Sequence, residues 1–535
     1  MSLLRNVLTV GGATLVSRVA GFLRDTGLAA VLGSGPAADA FLVALRLPNL
    51  FRRLFAEGAF AAAFVPVHVR RRAEAGEAAA RRFTGEALAG LVVVVVVVTL
   101  VAMLVAPQLV DLLAPGFAAD PGKRDLTIRL ARICLPYLAL VTVVALVSGP
   151  MIADRRFLVP SLAPVVLNAG LIAALLFILV AGGFDHDRAA ILLAWAVVAG
   201  GVAQVALLAV AVVRAGLAPP LVAPRLSPEI RRLVRLGLPG LLGGAISEIN
   251  LIVGTVIASA TTGAVSWLYY ADRLYQLPLG VVGIAVGQVL LPEIAHRLGE
   301  GGPDAGRDVQ NRALEFALAL ALPAALALAL LAEPIVSVLF ERGAFTAADR
   351  LAAARALEIF AFGLPAFVLV RVFTPVFQAR EDTMTPMLIG GVAVAVNAAL
   401  ALAFAPVIGW LAVALATVAA GWVNAVMLLI RLRTRRLWHF DAVLVRRLPR
   451  LAVAALAMAV VVHLAHGLVE PWLALGRSAL VRSGTLAGLV GLGVAVHAGL
   501  IFATGVVDGA RPRFFRRREG DRHHDASCPR PEDRA

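Results

Sequence analysis

From Thr383 to Ile430 the chain reads TMTPMLIGGVAVAVNAALALAFAPVIGWLAVALATVAAGWVNAVMLLI, without one Asp, Glu, Lys or Arg. A helix crosses the ~30 Å hydrocarbon core of a bilayer in about 20 residues, so this run is about twice the length that one span needs. Pro406 to Gly409 place turn-forming residues at its middle, and the stretch is read as two membrane helices. The same residues exclude strands: a barrel strand alternates apolar and polar positions, and an open sheet leaves unpaired backbone in lipid. The expected fold class is all-α, a polytopic membrane protein.

Uncharged runs of similar character cover residues 87–110, 133–153, 157–184, 189–213, 249–271, 274–292, 451–469 and 483–507. With the segments that carry an occasional charge, about fourteen transmembrane helices are expected, the first two near residues 5–32 and 38–67. A chain that is 60% hydrophobic and 16% charged, with mean hydropathy +0.88, cannot be folded around one aqueous core. Arg18, Arg24 and Asp25 interrupt the first apolar stretch, which is therefore read as a retained helix and not a cleaved signal.

The net charge of +15 is not the footprint of a nucleic-acid partner, because the basic residues alternate between loops. With the N-terminus inside, roughly thirty-two Lys and Arg fall on the cytoplasmic side and about ten on the other, which puts both termini in the cytoplasm. The clusters Arg70–Arg72, Arg81–Arg82, Arg225–Arg235 and Arg431–Arg450 all fall inside. Residues 508–535 lose hydrophobic periodicity and read as a basic disordered tail against anionic lipid headgroups. Cys134 with Cys528, and His463 with His466, give neither a bridge nor a metal site, and no cofactor is expected.

Slid against itself, the chain matches at an offset of about 227 to 229 residues. Pro36–Leu47 (PAADAFLVALRL) lies over Gly263–Leu274 (GAVSWLYYADRL), Arg46 over Arg273, Phe117 over Phe345, Pro136 over Pro365 and Asn168 over Asn397. A repeat of six helices returns to the side it started from, so the copies share one orientation and relate by an axis along the membrane normal. The expected organisation is an N-lobe over residues 1–220, a C-lobe over 221–440, two additional helices over 441–507 and the tail over 508–535. Transporters built this way hold substrate between the two halves.

The first two helices carry Arg18, Arg24, Asp25, Asp39, Arg46, Arg52, Arg53 and Glu57, charges that are costly in a bilayer and so mark a hydrated cavity. Asp39, Arg46, Arg53 and Glu57 recur at seven and four residues along one helix face, yet Pro48, Gly58 and Pro66 can turn that face, which leaves Arg52 or Arg53 open. Glu248, Asp272 and Arg371 are read as further buried charges, Asp272 as a neutraliser of Arg273 or a coupling group, and Tyr269–Tyr270 as packing in preference to sugar stacking. Arginines outnumber carboxylates here, and a guanidinium fork matches phosphate oxygens. A lipid-borne pyrophosphate held among Arg18, Arg24, Arg52 and Arg273 is the ligand this pattern favours.

Thr14–Pro66, with SRVAGFLRD, ADAF, LPNLFRRLFAEGAF and FVP, closely resembles the opening of the MurJ/MviN lipid II flippases, as do SWLYYADRL from Ser266, LPEI from Leu291, APGF from Ala114 and ERGAFT from Glu341. The resemblance covers nearly the whole chain. It implies a member of the multidrug/oligosaccharidyl-lipid/polysaccharide exporter superfamily with two six-helix lobes around a cationic cavity, and two last helices forming a groove for the lipid tail. It implies a flippase without covalent catalysis, moving undecaprenyl-pyrophosphate-linked lipid II across the inner membrane by alternating access, as a monomer that cell-division or wall-synthesis proteins recruit. Substrate-binding roles are implied for Arg18, Arg24, Asp39, Arg52 and Arg273, with Asp25, Asn49, Arg53, Glu57, Ser266 and Asp272 as secondary candidates. Some relatives bind a cation through acids on helices seven and eleven, where this chain has Gly254 and Ala401, so membrane potential is the expected drive.

The rival readings are a flippase for another polyprenyl-linked glycan, a drug exporter, a membrane glycosyltransferase and a scaffold. An exporter of cations would favour carboxylates, an enzyme needs an acidic or nucleophilic cluster that the short outer loops lack, and a scaffold does not account for the arginines.

Overall fold

The computed structural model describes residues 3–55, 59–220, 222–301 and 307–506, without the side chains of 3–10, 51–55, 59–63, 237–247, 282–289, 291–292, 295 and 297–301. No strand occurs among the described residues. The helices are α1 Leu3–Leu32, α2 Pro36–Phe55, α3 Ala59–Leu104, α4 Ala106–Leu113, α5 Pro121–Cys134, α6 Pro136–Ala153, α7 Leu158–Ala181, α8 His186–Arg214, α9 Pro228–Ser259, α10 Ala264–Gly301, α11 Arg307–Leu330, α12 Ala332–Phe340, α13 Ala347–Gln378, α14 Met384–Ile408, α15 Leu411–Thr434, α16 Ala442–Leu473 and α17 Ala479–Ala503. A 3-10 turn, Pro115–Ala119, links α4 to α5.

The uncharged run from Thr383 divides as expected into α14 and α15, but the turn falls after Pro406, at Gly409 with φ +59°. Pro406 stays in the last turn of α14, where Gly409 supplies the left-handed residue that ends a helix. Among the described residues ten helices are long and apolar enough to span a bilayer, with α5 and α6 jointly making one. A second departure from expectation lies in α3, which carries the Arg-rich segment 70–82 as helix and breaks only at Gly76 (φ 81°).

The packing reproduces the repeat. In the first half α1 lies on α7, α7 on α8, α2 on α5, α3 on α6 and α6 on α8; in the second, α9 lies on α14, α14 on α15, α10 on α13, α11 on α13 and α13 on α15. Pro136 separates α5 from α6, where its missing N–H is harmless at a first turn, whereas its counterpart Pro365 sits inside an unbroken α13. The last pair, α16 and α17, pack on each other and on α11 and have no counterpart in the first half.

One end of the bundle gathers the arginine-rich loops. Arg71 pairs with Glu229 at 3.2 Å and Arg72 with Asp154 at 3.4 Å, which brings the bend of α3, the α6–α7 turn and the start of α9 together. The opposite end holds the α1–α2 junction, the start of α10 and the loop after α12.

Candidate functional site

The charged residues of α1 meet the second half of the chain through α10. Asp25, with a side chain 3% exposed, accepts hydrogen bonds from Arg24 Nε at 2.9 Å, Arg24 Nη2 at 2.6 Å and the Tyr269 hydroxyl at 2.8 Å. Arg273 Nε stands 3.6 Å from its other oxygen, and the Arg273 guanidinium lies 4.7 Å from the Tyr269 ring centroid. Arg24 also donates to Asn168 Oδ1 at 3.0 Å and to the Tyr269 hydroxyl at 3.2 Å, while Asn168 Nδ2 donates to the Ser17 carbonyl. Two guanidiniums thus share one carboxylate at the boundary between the repeats. Arg273 Nε is itself buried and makes no hydrogen bond among the described residues, while the side chain as a whole is 38% exposed, so an external anion can reach the outer part of the guanidinium.

Further along the same inter-repeat surface Arg18 is exposed and its guanidinium lies over Gly280 of α10. A Cβ at Gly280 would sit 2.0 Å from Arg18 Nη1, so the missing side chain at 280 makes room for Arg18. Arg371 of α13 feels the charge of Arg18 and, contrary to its reading as a buried charge, is exposed. Neither makes an ion pair among the described residues. Gly280→Val is expected to leave folding intact, because the atom it displaces is the end of a flexible side chain, yet to lower transport about tenfold or more through a misplaced Arg18. Wild-type transport by a fully expressed Gly280→Val variant would remove Arg18 from the site.

Asp39 lies apart from these arginines. It is fully buried and accepts from Lys123 Nζ at 2.7 Å, the Gly263 N–H at 2.7 Å, the Ser266 N–H at 3.0 Å and the Ser266 hydroxyl at 2.7 Å. Asp39 and Ser266 are 227 residues apart, the repeat offset, so two equivalent positions touch and the pseudo-two-fold axis runs between them. The starts of α2 and α10 abut there, and a carboxylate between two positive helix ends stabilises their approach.

The same symmetry builds the surrounding seal twice. Gly116 N–H donates to Ser259 Oγ at 3.0 Å at the end of α9, and the Ala344 N–H donates to the Ala30 carbonyl at 2.9 Å near the end of α1. Trp267 Nε1 adds Ser34 Oγ at 2.9 Å and Asp349 Oδ1 at 3.0 Å. Arg46 donates to Thr255 Oγ1 of α9, just as its repeat partner Arg273 reaches Asp25 of α1.

Of the other sequence candidates, Asn49 Nδ2 donates to the Leu45 carbonyl at 2.9 Å, and Asp272 accepts from Gln276 on its own helix. Tyr270 is buried and donates to the Gly33 carbonyl at 3.1 Å. Glu57 and the side chains of Arg52 and Arg53 lie outside the described residues. At the positions where the resemblance would look for cation-binding acids, Ala401 packs with Ile257, Ala416 and Val413, a Cβ at Gly254 would meet Val413, and Asn397 Nδ2 donates to the Thr417 hydroxyl at 3.2 Å. Two residues that contact the sequence candidates were not among them: Asn168, whose signal was its match to Asn397, and Lys123, which carried none in the repeat.

The family model described as lipid II flippase MurJ matches residues 28–481. A protein of Rhizobium meliloti (strain 1021), named probable lipid II flippase MurJ, is 46% identical over 97% of this chain and 96% of its own. Among solved structures, the lipid II flippase MurJ in an inward closed conformation superposes with a TM-score of 0.77 at 21% identity, covering 93% of this chain and 99% of that one. An inward-facing multidrug resistance MATE family transporter superposes with a TM-score of 0.67 at 16% identity, over 79% and 98%.

Proposed function

The chain belongs to the lipid II flippase MurJ family, and on that premise we propose that it carries lipid II from the cytoplasmic to the periplasmic leaflet of the inner membrane by alternating access. The observation that carries this reading is the cluster of Arg24, Asp25 and Arg273 between the repeats, two guanidiniums for one carboxylate in membrane helices. A pyrophosphate group is an anion of matching geometry, able to accept the paired N–H groups of a guanidinium.

In this mechanism the headgroup enters from the end with the arginine-rich loops, which is the cytoplasmic side and holds both termini. The pyrophosphate replaces Asp25 as the counter-ion of Arg273 and draws α1 and α10 around it. The seal at Asp39, Gly116 and Gly343 then parts on the periplasmic side. No bond is made or broken; the residues replace the water around a headgroup that bare hydrocarbon rejects. Arg18, Arg24, Arg273 and Arg371 contact the anion, whereas Asp39 and Ser266 govern closure. Residues 1–220 and 221–440 move as the two lobes, and α16 with α17 accompanies the polyprenyl tail.

Depletion of this protein in its host, with an assay of which leaflet holds lipid II, tests the proposal. Cytoplasmic accumulation that wild-type protein reverses is the expected result. Unchanged exposure of lipid II, in a host without a second flippase, would move the reading to another lipid-linked glycan.

Since Gly254 and Ala401 leave no acid at the cation position, transport in vesicles is expected to be unchanged when sodium is replaced by potassium, and to respond to membrane potential. A several-fold loss without sodium would show that a cation binds elsewhere.

A further inference from the structure

Of the 49 Lys and Arg residues in this chain one is lysine, Lys123. It does not sit on a surface, where the two cations exchange freely. Its side chain is 2% exposed, its ammonium lies 2.7 Å from Asp39 Oδ2, and the Phe117 ring centroid is 4.0 Å away. At every other basic position a guanidinium serves. At this one the enclosed space beside Phe117 and Asp39 suits a compact point charge and not a planar fork with five donors.

The arrangement is asymmetric between the repeats. Lys123 and Asp39 belong to the first, on α5 and α2, while Gly263 and Ser266 belong to the second. When the seal parts, Asp39 loses the donors from the start of α10 and keeps Lys123. In the closed state the pair is dry, and a carboxylate stripped of its cation there is strongly destabilised. In the open state water reaches it, and the same loss costs little.

We propose that Lys123 is the positioning residue of the seal: its ammonium, 2.7 Å from the Asp39 carboxylate, keeps that carboxylate aimed at the start of α10, and so sets the balance between closed and open forms of that end. The proposal rests on the reading of this junction as a gate. Asp120 and Thr127 fix the lysine in turn, since the Asp120 carboxylate caps the Lys123 N–H at 3.1 Å and the Thr127 hydroxyl donates to the Lys123 carbonyl at 2.7 Å.

The test measures distance and not transport, so it stands apart from the identity of the cargo. Spin labels at Gly35→Cys and Thr262→Cys, one on each side of the junction, are placed in a chain lacking Cys134 and Cys528. Lys123→Met keeps the length of the stem, and Lys123→Arg keeps the charge. Both are expected to raise the long-distance population about tenfold or more, and adding Asp39→Asn to Lys123→Met is expected to return most of it to the short distance.

An unchanged distance distribution in Lys123→Met would overturn the proposal, as would full closure in Lys123→Arg. Protein with the native lysine supplies a second measurement in case the variants fail to fold. Apart from the N-terminus Lys123 is the sole amine, so its acylation by a membrane-impermeant amine reagent, read by mass spectrometry, should be slow in the short-distance population and rise several-fold in the long-distance one. Rapid acylation of the closed form would equally overturn the assignment. A distance shift together with unaltered lipid II exposure in the host would leave the lysine assignment standing and remove the flippase reading.

Discussion

Arg24→Ala and Arg273→Ala are expected to abolish lipid II exposure on the outer leaflet, with a loss on the order of 100-fold or more, while the protein still inserts in the membrane. Truncating one member of a buried, hydrogen-bonded charge pair costs about 2–5 kcal/mol, and about 1.4 kcal/mol is a factor of ten. Arg24 is the more severe case because one guanidinium bridges Asp25, Asn168 and Tyr269 at 2.6 to 3.2 Å, so its removal frees α1 from α7 and α10 together. Arg273 makes fewer contacts and is more exposed, so its loss should fall on the anion more than on the fold.

Lysine separates these roles. Arg273→Lys keeps a charge near Asp25 and should retain part of the activity, whereas Arg24→Lys cannot span three acceptors and should behave almost as alanine. Quantifying lipid II by leaflet, normalised to protein in the membrane, decides the matter. Wild-type exposure with either alanine variant would detach the cluster from the substrate and leave it as an inter-repeat strut.

Much of this architecture was legible in one dimension because a membrane solvent simplifies the code. An uncharged run such as Thr383–Ile430 has few alternatives to helix, and a repeat offset of 227 residues places matching helices in matching packing. The charges of α1 were legible for the same reason, since bilayer cost singles them out.

What spacing could not give was which side of the inter-repeat surface a charge serves. Asp39 and Arg46 share a helix face with the presumed site residues, yet both are used to join the halves: Asp39 through donors 84 and 227 residues away, Arg46 through Thr255. Arg371 is flanked in sequence by apolar residues, yet its side chain is exposed and near enough to Arg18 to feel its charge. The helix through residues 70–82 was also missed, because its polarity matches a loop and its amphipathic contact with the start of α9 is tertiary.

The glycines of the seal define the other large effect. A Cβ at Gly116 would lie 2.4 Å from the backbone carbon and oxygen of Ser259; one at Gly343 would lie 2.2 Å from the Ala30 oxygen, and one at Gly33 would lie 2.4 Å from the Ala344 oxygen. The atoms struck are backbone, so the two halves must move apart by several tenths of an ångström or more. Gly343 and Gly33 also have φ of +58° and +62°, where any side chain adds about 1–2 kcal/mol of local strain. Gly116 has no such φ, which makes Gly116→Ala the clean probe: its effect can come only from the approach of α9.

Both Gly116→Ala and Gly343→Ala are therefore expected to hold the periplasmic end open, raise the reactivity of Lys123 to an external amine reagent, and reduce lipid II transport about tenfold or more. The double variant should fall well short of the product of the single effects, because the pseudo-two-fold axis couples the loops and parting one relieves the clash at the other. If Gly116→Ala transports normally while Gly343→Ala does not, strain at positive φ is the cause, and the seal does not close through backbone contact at both symmetry-related places.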